Sequence, residues 1–274
     1  MIRLLVTLVI VAVIAYGVVL ALVFAVQRRI VFQPDTARPM ASALRIPQLR
    51  EVTIRPPGQP PVLAWYLPAP PGRPVIAYFH GNGGNLAYRG EHIRTFWQAR
   101  LGLMMVEYPG YGGNPGSPSE AGIIAAGRAV LVFLDAQGVQ SNRLIFYGES
   151  IGSGIATRLA SEHPVAGLIL ESPYTSVLDI AQRTLWGRFL PVQLLLRDRF
   201  EQLSLIKGVH APLLIMQGKK DIIVPPEMGR TLFMAANEPK VMWSAPDAGH
   251  NDLSQHGALT RAIAFVEDVM LEKR

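Results

Sequence analysis

The sequence predicts an α/β fold, a mostly parallel central sheet with helices on both faces, behind an amino-terminal transmembrane helix. Three observations carry that expectation. Residues 4–26 hold no charge and are dominated by Leu, Val, Ile and Ala. From about residue 50 onward, short β-rich runs alternate with helical windows, the pattern of strands joined by crossover helices. A glycine-flanked serine, Gly148-Glu149-Ser150-Ile151-Gly152, falls where one such strand runs directly into a helix.

The apolar run is long enough to cross the hydrocarbon core, which takes about 20 helical residues. A cleaved signal peptide is the competing reading, since Val23 and Ala25 suit a small-residue cleavage site. Signal peptides, however, have apolar cores of only about 7–15 residues. Residues 1–27 are therefore read as an anchor. Arg3 precedes the span, whereas Arg28, Arg29, Arg38 and Arg45 follow it, which weakly tilts the domain that follows toward the cytoplasm. Residues 28–49 contain Pro34, Pro39 and Pro47. Each proline disfavours helix at the residue before it, so this stretch reads as an irregular linker.

Residues 50–274 form the remaining domain. Strands are expected at 51–54, 62–66, 75–79, 103–107, 144–147, 168–170, 213–216 and 241–243. Helical windows with apolar residues three and four apart cover 120–136, 151–162, 227–236 and 258–271. Residues 177–205 interrupt the alternation. There Leu185, Trp186, Phe189, Leu190 and residues 194–196 mix with Arg183, Arg188, Arg197 and Arg199. A short cap is one reading, and plain helical packing on the sheet is an equal one. The same mixture would suit contact with anionic lipid.

Composition narrows the function. Of 274 residues, 50% are hydrophobic and 17% charged, too apolar for disorder. The net charge of +6 is scattered along the chain rather than gathered in a patch, which argues against nucleic acid as a partner. With no cysteine, disulfides, thiolate catalysis and cysteine-ligated metals are excluded.

The chemistry centres on Ser150. A serine hydroxyl is a poor nucleophile until a base takes its proton and a third group fixes that base. Downstream, Asp221 stands in Gly218-Lys219-Lys220-Asp221 just after one strand, and His250 stands in Gly249-His250-Asn251-Asp252 after the last. In an open parallel sheet the loops at the strands' carboxyl ends converge on one crevice. Serine, acid and histidine in that chain order match the α/β-hydrolase arrangement. Glu171, which ends a strand, and Asp247, just before His250, are rival acids. The glycine-rich turn His80-Gly81-Asn82-Gly83-Gly84 offers backbone amides to a developing oxyanion, with the N–H groups of Asn82 and Ile151 as candidates. His80 is expected to brace that turn through its ring. His92, His163, His210 and His256 lack a partner in the pattern and are read as structural or exposed.

Together, HGNGGN (80–85), YPGYG (108–112), PSE (118–120), GESIG (148–152), ESPYTS (171–176), GKKDIIVP (218–225) and AGHND (248–252) resemble the signal-anchored α/β-hydrolase-domain proteins. The likeness runs from about Val31 to the end. It implies the α/β-hydrolase fold and a serine hydrolase that needs no metal or organic cofactor, acting on a small-molecule or lipid-like acyl substrate at a membrane. Glu107, Pro109 and Gly113-Asn114-Pro115 depart from the family's usual DYRGYG run, and Gln217 stands where many members have histidine. A membrane-bound peptidase or amidase, and a silent hydrolase scaffold, are the alternatives.

Overall fold

A computed structural model describes residues 1–184 and 186–271; Leu185 and the last three residues lie outside them, and nothing is described of the Trp186 side chain. The first helix, α1 (Ile2–Val31), carries no acidic residue and remains regular until Phe32 turns extended at φ −108°. It runs four residues past the expected end of the anchor, because nothing before Pro34 opposes a helix.

The next segment is not a free linker. It forms β1 (Gln33–Pro34) and a short 3-10 turn (Ala41–Leu44), and it buries Phe32, Ala41, Ile46 and Leu49. The prolines did exclude regular helix, but the apolar residues between them dock on the domain.

The sheet then builds through β2 (Arg50–Ile54), β3 (Val62–Leu67) and β4 (Val75–Phe79). β5 (Gly83–Gly84) leaves this sheet and pairs with β1, Gln33 facing Gly83. α2 (Gly90–Gln98), β6 (Gly102–Val106), α3 (Glu120–Ala136), β7 (Leu144–Glu149), α4 (Ile151–Glu162) and β8 (Gly167–Glu171) follow. Then come α5 (Val177–Arg183), α6 (Val192–Leu195), β9 (Leu213–Gly218), α7 (Pro226–Ala235), β10 (Lys240–Ala245) and α8 (Ala258–Leu271). Strand order is β10-β9-β8-β7-β4-β6-β3-β2. All neighbours run parallel except β2 with β3 and β3 with β6.

Successive strand residues point to opposite faces, so Phe79 and Phe146 meet α3, α4 and α7 while Tyr78 and Tyr147 meet α2 and α8. Both faces are covered, as a mostly parallel sheet requires. α3 starts where Ser119 Oγ accepts the Gly122 N–H at 3.1 Å, and α5 where Ser176 Oγ accepts that of Asp179 at 3.0 Å. Neither α5 nor α6 buries a residue, but Val177 and Ile180 rest against the core and Phe200 is buried in it, so the ends of the 177–205 excursion pack on the domain while its middle, with the exposed Phe189 and Leu194, stands off.

The packing of residues 32–49 generates a prediction. Burying a Phe, Ile or Leu side chain contributes about 1.5–3 kcal/mol each. A chain starting at Arg50 should therefore melt about 10 °C or more below one starting at Arg28, at roughly 2–4 °C per kcal/mol for a domain this size. Equal melting temperatures by circular dichroism would show that the segment is a mere tether.

Candidate active site

Ser150 sits at the tip of the turn between β7 and α4, at φ 50° and ψ −119°. A non-glycine residue there is strained, and the flanking packing holds it. A Cβ on Gly148 would stand 2.5 Å from the Gly152 carbonyl oxygen, and one on Gly152 only 2.0 Å from that of Phe79. The two glycines are thus required by close backbone approach, and they drive the Ser150 hydroxyl clear of the sheet edge.

The structure brings Ser150, His250 and Asp221 together. His250 Nε2 is 2.9 Å from Ser150 Oγ, and its Nδ1 is 2.7 Å from Asp221 Oδ2. Asp221 is almost fully buried. Its Oδ1 accepts the N–H groups of Ile223 and Val224 at 2.9 and 2.8 Å. Gln217 Nε2 donates to Oδ2 at 3.1 Å, so the residue that departs from the family pattern holds the acid. The acid loop is in turn fastened to the histidine loop by the Lys220 N–H donating to the Ala248 carbonyl at 2.9 Å, and the histidine loop is braced within itself by Asp252 Oδ1 accepting the Gly249 N–H at 2.7 Å.

The rival acids are engaged elsewhere. Asp247 pairs with Lys220 at the surface, and Glu171 accepts the Tyr147 hydroxyl. His163, His210 and His256 are exposed. His92 is half-buried against the Tyr78 and Tyr147 rings, and its removal from water lowers its pKa.

His80 braces the glycine-rich turn in a specific way. Its Nδ1 lies 2.7 Å from the Gly81 carbonyl oxygen. In a trans peptide the C=O and the following N–H point in opposite directions, so holding the Gly81 carbonyl aims the Asn82 N–H. His80 Nε2 stands 3.2 Å from Glu107 Oε1 with both side chains fully buried, and Glu107 Oε2 accepts the Leu86 N–H at 3.0 Å. Tyr108 stacks on the His80 ring with centroids 3.9 Å apart. Asn82 is pinned from the other side, its Oδ1 accepting from the Gln33 N–H at 3.2 Å and the Tyr111 hydroxyl at 3.0 Å. The Ile151 amide opens α4, where an N–H has no partner within the helix.

Beneath the serine lies a buried charged layer that the sequence reading missed. Arg89 Nε and Nη2 meet the Glu149 carboxylate at 2.9 and 3.0 Å, and Tyr78 donates to the same group at 2.5 Å. Burial works against the Glu149 charge, but Arg89 overcomes it and holds the carboxyl below the usual range. Glu171 lacks such a cation; burial, and then the Glu149 charge, push it up to about 7. Glu149 lay in plain view inside the serine motif, whereas nothing local marks Arg89 as its partner. A surface hollow of about 500 Å³ between Ala160 and Pro212 sits at the opposite, amino-terminal edge of the sheet.

No family model matches the sequence. An uncharacterized protein of Mycobacterium tuberculosis is 36% identical over 246 residues, covering 89% of this chain and 86% of that one. Protein bem46 of Schizosaccharomyces pombe is 32% identical over 67% of this chain and 64% of its own length. The α/β hydrolase domain-containing protein WAV2 of Arabidopsis thaliana is 29% identical over 77% of this chain and 76% of its own length. Among solved structures, the esterase Pf2001 of Pyrococcus furiosus superposes with a TM-score of 0.71 at 17% identity, over 87% of this chain and 97% of that one. The esterase domain of a Rhodothermus marinus protein gives 0.61 at 19% identity, over 80% and 97%.

The raised Glu171 pKa yields a stability prediction. The folded protein holds this proton more tightly than the unfolded chain does. Its contribution is therefore complete below about pH 4.5 and is lost as pH rises through about 7. Glu171→Gln cannot ionise, so its melting temperature should gain on wild type between pH 5 and pH 8. A constant difference across that range would refute the assignment.

Proposed function

Because the chain belongs to the α/β-hydrolase superfamily, we propose that it is a membrane-anchored serine hydrolase cleaving a carboxylic ester or thioester through an acyl-enzyme at Ser150. The observation that carries this reading is the continuous line from Ser150 Oγ through the His250 ring to the buried Asp221 carboxylate, at 2.9 and 2.7 Å. Relatives and fold neighbours described as α/β hydrolases or esterases support it.

In the first half-reaction Ser150 Oγ attacks the substrate carbonyl carbon while His250 Nε2 takes the hydroxyl proton. Asp221 holds the Nδ1–H tautomer and stabilises the imidazolium. The Asn82 and Ile151 amides hold the oxyanion, a contribution of about 3–4 kcal/mol for such donors. The imidazolium then protonates the departing alcohol or thiol oxygen or sulfur. Water enters, gives a proton to His250 and its hydroxyl to the acyl carbon; the bond between that carbon and Ser150 Oγ then breaks, His250 returns the proton to Oγ, and the acid leaves. The exposed Ile222 and Ile223 beside Asp221 give this edge an apolar rim, which suits a lipid-like acyl group. α1, long and apolar enough to cross a bilayer, is the anchor, with the arginine count favouring a cytoplasmic domain.

A fluorophosphonate probe tests the chemistry. It should label wild type and spare Ser150→Ala, and an unlabelled but folded wild type would sink the reading. Asp221→Asn should keep the fold and lose about 10⁴-fold in turnover through the wrong histidine tautomer; if Glu171→Gln suffers that loss instead, the acid is misassigned.

The anchor is tested by extraction. Full-length protein should resist carbonate, and a chain starting at Arg28 should be soluble and still react with the probe. Release of the full chain by carbonate would rule out a spanning helix, and a chain trimmed near Ala25 would mark a signal peptide.

A further inference from the structure

The cap does not merely stand off the sheet; it runs back along the anchor helix. Tyr16, in the middle of α1, donates its hydroxyl to the Phe189 carbonyl at 3.0 Å. Eleven residues later, Gln27 Nε2 donates to the Leu195 carbonyl at 3.0 Å, and Gln27 Oε1 accepts the Arg197 N–H at 2.9 Å. Arg28 then pairs with the buried Asp198, Nε to Oδ2 at 2.7 Å. The covered positions of α1 repeat this contact line: the half-buried Leu20, Val23 and Val31 and the buried Gln27 follow three- and four-residue spacing on the face that carries Tyr16, and Arg28, also half-buried, lies beside it.

Depth follows from helix geometry. Any span of about 20 residues drawn from the uncharged stretch 4–26 contains Tyr16 at least seven residues from its cap-side end, roughly 10 Å of helix. A cap residue hydrogen-bonded to Tyr16 is therefore below the headgroups wherever the span is placed. The chemistry of the segment agrees. Phe189 and Leu194 are 68% and 82% exposed, with nothing among the described residues to cover them. The exposed Arg183, Arg188 and Arg197 have stems long enough to carry their charges up to lipid phosphates.

We propose, resting on the anchor reading above, that residues 189–195 insert into the same leaflet as α1 and dock on its lipid-facing surroundings, so that the cap is a second membrane contact and the Ser150 site takes an acyl substrate presented by the bilayer. The cap reports directly to the site. Its two stems are joined where the Gln202 N–H donates to the Thr175 carbonyl at 2.9 Å. Gln202 Nε2 donates to Ser153 Oγ at 2.9 Å and its Oε1 accepts from Thr157 at 3.0 Å, both on the helix that begins beside Ser150. Tyr174, just before the cap, donates to the Ile151 carbonyl at 3.2 Å.

The test uses the full chain in vesicles of phosphatidylcholine and phosphatidylglycerol. Since the sequence has no cysteine, Leu8→Cys, Leu194→Cys and Val132→Cys each carry one environment-sensitive fluorophore. Position 8 lies in the anchor, 194 in the cap, and 132 at an exposed point of α3. Labels at 8 and 194 should be quenched by lipids spin-labelled in the acyl chain and shielded from aqueous iodide, with the reverse at 132. Iodide quenching at 194 with 8 still shielded overturns the inserted cap and leaves the anchor standing. Shielding of 194 from both quenchers overturns it as well, because protein rather than lipid then covers the cap. None of these outcomes depends on activity. Given activity, Phe189→Asp with Leu194→Asp should lower hydrolysis of a long-chain ester in vesicles by about tenfold or more while an acetyl ester in solution is cleaved at the wild-type rate. Equal rates on both substrates would overturn delivery from the bilayer.

Discussion

At Gly152 there is room for a hydrogen atom and nothing larger, since a Cβ would stand 2.0 Å from the Phe79 carbonyl oxygen. That contact presses the first turn of α4 against the end of β4 and sets the distance between two pieces of chemistry, the serine tip and the glycine-rich turn that starts at His80. Everything else at the site is arranged about this fixed approach. Ser150 accepts a strained φ of 50° because its neighbours leave it no other path, and the turns that carry Asn82 and Ile151 are held close because their parent elements are in backbone contact. A site assembled from loops alone would have to order those amides on substrate binding, at an entropic cost that packed strands and helices have already met on folding.

The layer beneath is expensive. Glu149 with Arg89, Glu171 with Tyr147, and His80 with Glu107 remove charged or polar groups from water, and buried pairs of this kind contribute little net stability. What they supply is direction. The His80 ring, set against Glu107, holds the Gly81 carbonyl and so orients the Gly81–Asn82 peptide plane, and the Gln217–Asp221 bond adds a donor to the acid that faces His250. Glu149 is held ionised by Arg89, whereas burial and the Glu149 charge push Glu171 toward its neutral form.

Much of this was legible in the chain. The eight main strands and the four clear helical windows each stand within a few residues of where alternation and spacing put them, because those signals are local. The serine, acid and histidine were readable because each follows a strand directly. What escaped has a physical reason in every case. α2 opens on glycine and buries only Ile93 and Phe96, too sparse a pattern to mark a helix. The two-residue pairing of β1 with β5 is set by tertiary packing and has no propensity behind it. Residues 28–49 read as linker because prolines forbid helix there, yet proline says nothing about docking, and Phe32 and Ile46 are buried nonetheless. Gln217 looked like a departure from pattern and proves to be a hydrogen-bond donor to Asp221. Arg89 is separated from Glu149 by sixty residues, and only the fold joins them.

The continuity of α1 with the site follows from the same accounting of backbone groups. One residue after the buried Phe32, the chain of the helix gives its Gln33 N–H to Asn82 Oδ1 and pairs with Gly83 and Gly84. The side chain that receives this bond belongs to the glycine-rich turn that His80 braces. On the other flank Arg28 ends the helix in Asp198, which also accepts the Glu120 N–H at the start of α3 at 2.9 Å. The end of α1 is thus clamped on one side to the glycine-rich turn and on the other to the cap stem, and Phe32 packs edge-on against Phe200 between them, ring centroids 6.2 Å apart. A helix held at three such points has little freedom to swivel relative to the domain. Once α1 is placed in a membrane, the orientation of the Ser150 edge relative to the lipid surface is fixed with it, and no flexible tether intervenes to average it away.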